Sequence, residues 1–271
     1  MNQIQVLSQE YRDHPWISGW RNKFSSIDFL DDWQKASAQK IVVCGADVNQ
    51  IHVKHWLNQR QSAVYVGRGY CGNHIVKQRK WWRASINSWA NTILKSVPYS
   101  RWSLLNLPYH KWKVKNINRV LIAPSALATR AWEGQPSQDW ATNLLNKFPR
   151  AEVKIRFKDS TPGLRYATLW DDLDWCDLVV TQSSSISCEA FWYGKKVISL
   201  QPCPTWAAGL TTLDDWQNPT EPSDRDAWHE HLAWSQYSVN EWSTGEAFEL
   251  MQQYLGAIET YDPQHTYNLP I

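Results

Sequence analysis

The chain has 271 residues and a net charge of +2, from 28 basic and 26 acidic side chains. Hydrophobic residues make up 43% of it, which is enough to build a core and rules out intrinsic disorder. No stretch reaches the roughly 18–20 uninterrupted apolar residues of a membrane helix, and the opening MNQIQVLSQEYRDHPW lacks a basic-then-apolar leader. The expectation is therefore a cytoplasmic protein with no membrane partner.

In chain order, the first regular signals are IVVC (41–44), followed by Gly45-Ala46-Asp47, and AVYV (63–66), followed by Gly67-Arg68-Gly69. Each reads as a buried strand ending in a turn. Segment 81–97 mixes tryptophan with basic residues, and 98–118, punctuated by Pro98 and Pro108, reads as irregular. Beyond Arg119 the pattern becomes regular. Strands are expected at 120–125, 153–157, 177–182 and 196–200. Helices are expected from Ser137, over 164–175, over 183–194 with its end at Gly194, over 223–234 and over 239–257. Strands alternating with helices imply a parallel sheet with right-handed crossovers. The fold expected is α/β, with two Rossmann-like domains facing a cleft: 1–117, 118–257 and a C-terminal tail 258–271.

Charge is unevenly distributed. Residues 1–120 carry 18 basic and 6 acidic side chains, and the remainder carries 10 and 20. Either the N-terminal half meets an anionic partner, or the two halves attract each other. The five cysteines, Cys44, Cys71, Cys176, Cys188 and Cys203, form no C-x-x-C pair and are odd in number, so buried, reduced thiols are expected.

The most informative stretch is DLVVTQSSSISCEAFWYGKKVIS (177–199). A buried strand delivers Ser183, Ser184 and Ser185 to the C-terminal edge of a parallel sheet, where open α/β sheets bind ligands. One serine suffices to cap a helix; three in succession, with amide groups and hydroxyls converging, suit a phosphate. Glu189 lies four residues after Ser185, on the same helix face, and a carboxylate there can accept hydrogen bonds from a ribose diol. Its plain alternative is a solvated helix residue. Arg156 and Lys158 alternate with Ile155 and Phe157 and share one sheet face, either exposed or turned to phosphate. Asp171-Asp172-Leu173-Asp174 reads as a solvated acidic face and not as a metal site.

This pattern resembles the nucleotide-binding half of GT-B glycosyltransferases. It is particularly similar to the capsule-polysaccharide and Kdo-transferase type, over about residues 118–202. The resemblance implies a nucleotide-sugar donor, with a UDP-sugar expected and no metal or other cofactor required. Ser183, Ser184 and Ser185, assisted by Arg156 and Lys158, would hold the diphosphate, and Glu189 the ribose. A looser resemblance, carried by VYVGRGYCGN, WWRASINSW and HLAWSQYSVNEWSTGEAF, is to small phage-encoded proteins of the same type. It implies transfer of a hexose or pentose to hydroxymethylated bases in DNA, within the host cytoplasm.

In the N-terminal half, Asp47 follows the IVVC strand and can serve as the base that deprotonates an acceptor hydroxyl. His52, His55 and His74 are alternatives, and turn chemistry is the plain role of Asp47. Arg79, Lys80, Trp81, Trp82 and Arg83, with Arg68, interleave cations and aromatic rings. They suit an acceptor nucleic acid, or an amphipathic segment with buried tryptophans and wet cations. The letters GRGYCG (67–72) match a dinucleotide fingerprint but lack its helix, which disfavours an oxidoreductase. The competing readings are a glycan or capsule-type transferase and a non-catalytic nucleic-acid-binding protein on the same scaffold.

Overall fold

The computed structural model describes residues 3–7, 15–24, 26–30, 40–44, 62–70, 81–86, 99–125, 139–157, 167–200, 203–205 and 209–251. They form two compact units. The described residues up to Leu105 and from Glu230 onward make the first, and Asn106–His229 makes the second.

The first unit is built on a six-stranded sheet in the order β10-β5-β4-β3-β1-β2. Strands β1 (Gln3–Leu7), β2 (Ser26–Leu30), β3 (Lys40–Cys44) and β4 (Ser62–Arg68) run parallel. β5 (Trp81–Ile86) and β10 (Gln236–Ser238) are antiparallel additions at one side. Alternation puts Ile4 and Val6 of β1, Val64 and Val66 of β4, and Ala84 of β5 in one buried cluster. Helix α1 (Pro15–Arg21), which starts on a proline suited to its first turn, adds Ile17 and Trp20 to it.

The cluster is completed from the far end of the chain, by Trp234, Tyr237, Trp242, Ala247, Phe248 and Met251. Helix α6 (Val239–Thr244) opens with a capping box: Ser238 Oγ accepts the Glu241 amide, and Glu241 accepts the Ser238 amide. It stops at Gly245, whose φ of 84° also launches α7 (Glu246–Leu250). The expected single helix over 239–257 is thus broken at Gly245. Helix α1 meets α6 at a point without room for a side chain: a Cβ on Gly19 would lie 2.2 Å from the Trp242 carbonyl oxygen.

The second unit holds a four-stranded parallel sheet in the order β7-β6-β8-β9. Its strands are β6 (Arg119–Ala123), β7 (Glu152–Ile155), β8 (Leu178–Thr181) and β9 (Lys196–Ser199). Helices α2 (Asp139–Leu144), α3 (Ala167–Trp175) and α4 (Ile186–Trp192) connect them. All side chains of β8 and β9 are buried, as expected of strands covered on both faces. One cluster joins Val120, Ile122, Leu178, Val180 and Ile198 to Ala141, Leu144 and Phe148 from α2 and the turn after it. On the opposite face Lys154 and Arg156 reach Asp172 of α3. This is a doubly wound, Rossmann-like α/β arrangement. Its strand order reverses between β6 and β8, which makes that pair the topological switch point.

The second unit begins at Asn106 instead of at 118, and residues 230–251 belong with the N-terminal ones. Arginine-containing α5 (Arg225–Trp234) holds the division, and β10 after it extends the first sheet alongside β5. This regrouping changes the charge picture. Counted along the sequence, residues 1–105 and 230–271 together carry 14 basic and 12 acidic side chains, and 106–229 carry 14 of each. Among the described residues of the first unit, Arg101 pairs with Glu241 and Lys23 with Glu249, each a basic residue of the N-terminal half meeting an acid of the C-terminal segment. The tail 258–271 lies outside the described residues. No helix among the described residues is long and apolar enough to cross a membrane. Cys176, Cys188 and Cys203 are buried, and burial pushes the Cys176 thiol up to about 12.

Candidate functional site

Strand β8 ends where its hydrogen bonding changes from backbone to hydroxyl. Thr181 Oγ1 donates to the Ala123 carbonyl at 2.6 Å and accepts the Ser184 amide at 3.3 Å. The Ser183 amide donates to Ser125 Oγ at 3.0 Å, and the two serine hydroxyls stand 3.1 Å apart. Ser125 and Ser183 therefore pin together the carboxyl ends of β6 and β8, at the switch point where doubly wound sheets open a crevice. Both are buried, Ser184 is half-buried and Ser185 is exposed. The three serines thus form a ramp from the sheet edge to the surface.

Between Thr181 and this ramp lies Gln182. It is 1% exposed, and neither Oε1 nor Nε2 of its carboxamide has a hydrogen-bond partner. In the sequence Gln182 merges with the buried strand expected over 177–182. The signal available was a long amide ending an otherwise apolar run.

Helix α4 follows, and it is short, with seven residues. Ser185 occupies its N-cap in a helical conformation and makes no side-chain cap bond. The Ser187 and Cys188 amides turn back to the Ser184 and Ser185 carbonyls at 3.0 and 3.1 Å. The expected convergence of helix amides is thereby reduced, and among the described residues after β8 the polar groups are the hydroxyl and amide side chains of Gln182 to Ser185. Glu189 sits half-buried in the helix. The far end of α4 is firmly held. Gly194 (φ 87°) closes a Schellman pattern, with the Lys195 amide on the Ala190 carbonyl and the Gly194 amide on the Phe191 carbonyl. Buried Arg225 donates to the Phe191 and Trp192 carbonyls at 3.1 and 3.0 Å, a cation where the helix dipole is negative.

Arg156 lies just beyond β7, where its amide still donates to the Ile122 carbonyl. Its guanidinium and the Lys154 ammonium both bind the carboxylate of Asp172. Asp172 is buried while Asp171 and Asp174 are exposed, so the solvated acidic face expected over 171–174 holds for two of its three carboxylates. The third neutralises cations beneath it. Lys158 lies outside the described residues. Among the described residues no group of three or more His, Cys, Asp or Glu is arranged to hold a metal ion.

In the first unit, antiparallel pairing sets Arg68 opposite Trp82 and Gly67 opposite Arg83, at the end of the sheet where β4 finishes. Trp82 packs against the core cluster. Trp81 and Arg83 alternate to the other face, where the Arg83 guanidinium stacks over the Tyr70 ring at 4.6 Å. The segment expected to be a mixed Trp/basic stretch is thus a strand at its start. One tryptophan serves the core, and Trp81 and Arg83 share the opposite face. Asp47, its alternatives His52, His55 and His74, and Arg79 and Lys80 lie outside the described residues.

No family model and no curated protein matches the chain. Among solved structures it is similar to two from Thermosulfurimonas dismutans. One is the KpsC beta Kdo 2,7 transferase, at 14% identity over 93% of this chain and 99% of that one, with a TM-score of 0.49. The other is the KpsC beta Kdo 2,4 transferase, at 12% identity over 87% and 92%, also with a TM-score of 0.49.

Proposed function

We propose that the chain is a GT-B-type glycosyltransferase whose second unit holds a nucleotide-sugar donor, a UDP-sugar, at the β6/β8 switch point. The observation that carries this reading is the Ser125–Ser183 hydroxyl pair with buried Gln182 and the outward-stepping Ser184 and Ser185. Polar groups gathered at the carboxyl edge of a doubly wound sheet suit a nucleotide. Ser184 and Ser185 are the diphosphate donors, with Lys158 and Arg156 supplying positive charge. The Asp172 carboxylate holds Arg156 in place. Glu189 takes the ribose. Charge growing on the leaving diphosphate in the transition state is stabilised by the same groups.

In the transfer, an acceptor hydroxyl attacks the anomeric carbon and the bond from that carbon to the diphosphate breaks. The acceptor proton passes to a base, assigned to Asp47. The acceptor is a hydroxymethylated base in DNA. Arg68, Arg79, Lys80, Trp81 and Arg83 are its phosphate and stacking contacts, with Trp82 supporting them from the core. What favours this acceptor is the interleaving of cations and aromatic rings in the sequence 79–83, with Arg68 set opposite Trp82. A flipped base is needed for its substituent to reach a closed site.

Incubation with a panel of nucleotide sugars and hydroxymethylated DNA, followed by digestion to nucleosides and mass spectrometry, tests both levels. A mass gain of one sugar supports the whole reading. UDP-sugar hydrolysis or transfer to a glycan without DNA modification removes the DNA acceptor alone. Absence of calorimetric binding to UDP and to every nucleotide sugar in the panel sinks the transferase reading.

A further inference from the structure

Gln182 poses a problem that the phosphate contacts do not solve. Its carboxamide is enclosed at the switch point with both polar atoms unpartnered. Buried amides are ordinarily satisfied, because an unmade hydrogen bond leaves the full desolvation penalty standing. A diphosphate is the wrong partner for it. Ionised phosphate oxygens only accept, so they would satisfy Nε2–H and leave Oε1 facing like charge. The group that satisfies a carboxamide must accept from Nε2 and donate to Oε1 at once. Two adjacent hydroxyls do this, one in each role. Ser183, the next residue in the chain, is paired with Ser125 through hydroxyls that both donate and accept.

We infer that Gln182 is a specificity-determining residue whose carboxamide grips a vicinal diol of the donor. This rests on the nucleotide-sugar reading above and goes beyond it by dividing the site in two. An inner part centred on Gln182 reads hydroxyl groups, and the outer serines meet the phosphates. The diol belongs either to the ribose of the nucleotide or to the sugar being transferred.

The test is calorimetry of the wild type and of Gln182→Met, a variant of similar volume, with UDP, 2′-deoxy-UDP and UDP-glucose. If the ribose supplies the diol, the wild type prefers UDP over 2′-deoxy-UDP by roughly 10-fold or more and the variant loses that preference. If the transferred sugar supplies it, the preference for UDP-glucose over UDP is the one lost. A wild type that binds UDP without either preference overturns the inference. So does a variant that keeps both, or one that weakens all three ligands equally. An independent readout needs no ligand. Because Gln182 lacks internal partners, the ligand-free variant should melt at or above the wild-type temperature; a clear drop shows internal hydrogen bonding and overturns the assignment. Failure of the wild type to bind any of the three ligands is a different result, since it refutes the UDP-sugar reading on which the inference rests.

Discussion

Arg101 and Glu241, 140 positions apart in the chain, form an ion pair at 2.7 Å in the first unit, with the arginine almost wholly enclosed. Burial alone would lower the Arg101 pKa, and the Glu241 carboxylate more than offsets it, holding the guanidinium above its ordinary value. The rings of Trp234 and Tyr237 lie 5.2 and 5.0 Å from the same cation. The second oxygen of Glu241 caps α6 through the Ser238 amide. Glu241→Ala therefore strands a buried charge and removes a cap together, and should cost about 3–5 kcal/mol. Urea denaturation of wild type and variant measures this. A loss of only a few tenths would mean that the pair is solvated.

Gly19→Ala tests the helix crossing. The added methyl would overlap the Trp242 carbonyl and also meet the Ser243 carbonyl at 2.5 Å. Backbone atoms cannot swing aside as a side chain can, so the helices must separate. The expected loss is about 1–3 kcal/mol, as for other overpacked cores, even though alanine favours the helix itself. A melting temperature equal to that of the wild type would show that the crossing yields freely.

Asp172→Asn tests the cradle beneath Arg156. One buried carboxylate serves two cations, so its neutralisation should destabilise the second unit by about 3 kcal/mol. Lys154→Ala should cost under about 1 kcal/mol, because the lysine is half exposed and its pairing is screened. Reversal of that order in chemical denaturation would place the stabilisation on Lys154.

His229 sets an acid limit. Burial first, and then the Arg225 charge, lower its pKa to about 4. An unfolded histidine titrates near 6.5, so between those values the unfolded state holds the extra proton and stability falls as pH falls. The stabilisation is complete above about 6.5, and roughly 3 kcal/mol of it is gone by pH 4. His229→Phe, which keeps the ring contacts to Tyr109 and Trp228, should flatten that slope in denaturation curves recorded from pH 7 to 4. An unchanged slope would assign the acid sensitivity to other groups.

The parallel sheet of the second unit was legible because its strands are short apolar runs punctuated by turns. Gly194 was readable as a helix stop for the same local reason, and its φ of 87° matches. The edge strand Gln236–Ser238 was not legible. It has three residues and no alternation to detect, and it exists only because β5 offers it hydrogen bonds across the chain. Assignment of 230–251 to the first unit goes with that pairing. At the candidate site the serine run was visible in the sequence. Ser125 was read as strand and Gln182 as apolar context, because their meaning comes from juxtaposition of β6 with β8, 58 residues apart for Ser125 and Ser183. Asp172 was grouped with Asp171 and Asp174 because nothing in a row of acids tells which one turns inward.

The discontinuous makeup of the first unit bears on how the polypeptide emerges from the ribosome. Asn106–His229 is a single uninterrupted stretch, so its neighbours are all available once His229 has cleared the exit tunnel. The earlier-made sheet must wait with β5 unpaired on one side until Gln236–Ser238 and the tryptophan-bearing helices arrive. During synthesis the sheet that precedes Asn106 is thus completed after the unit that follows it, and for that interval the open edge of β5 is a site that a chaperone would protect.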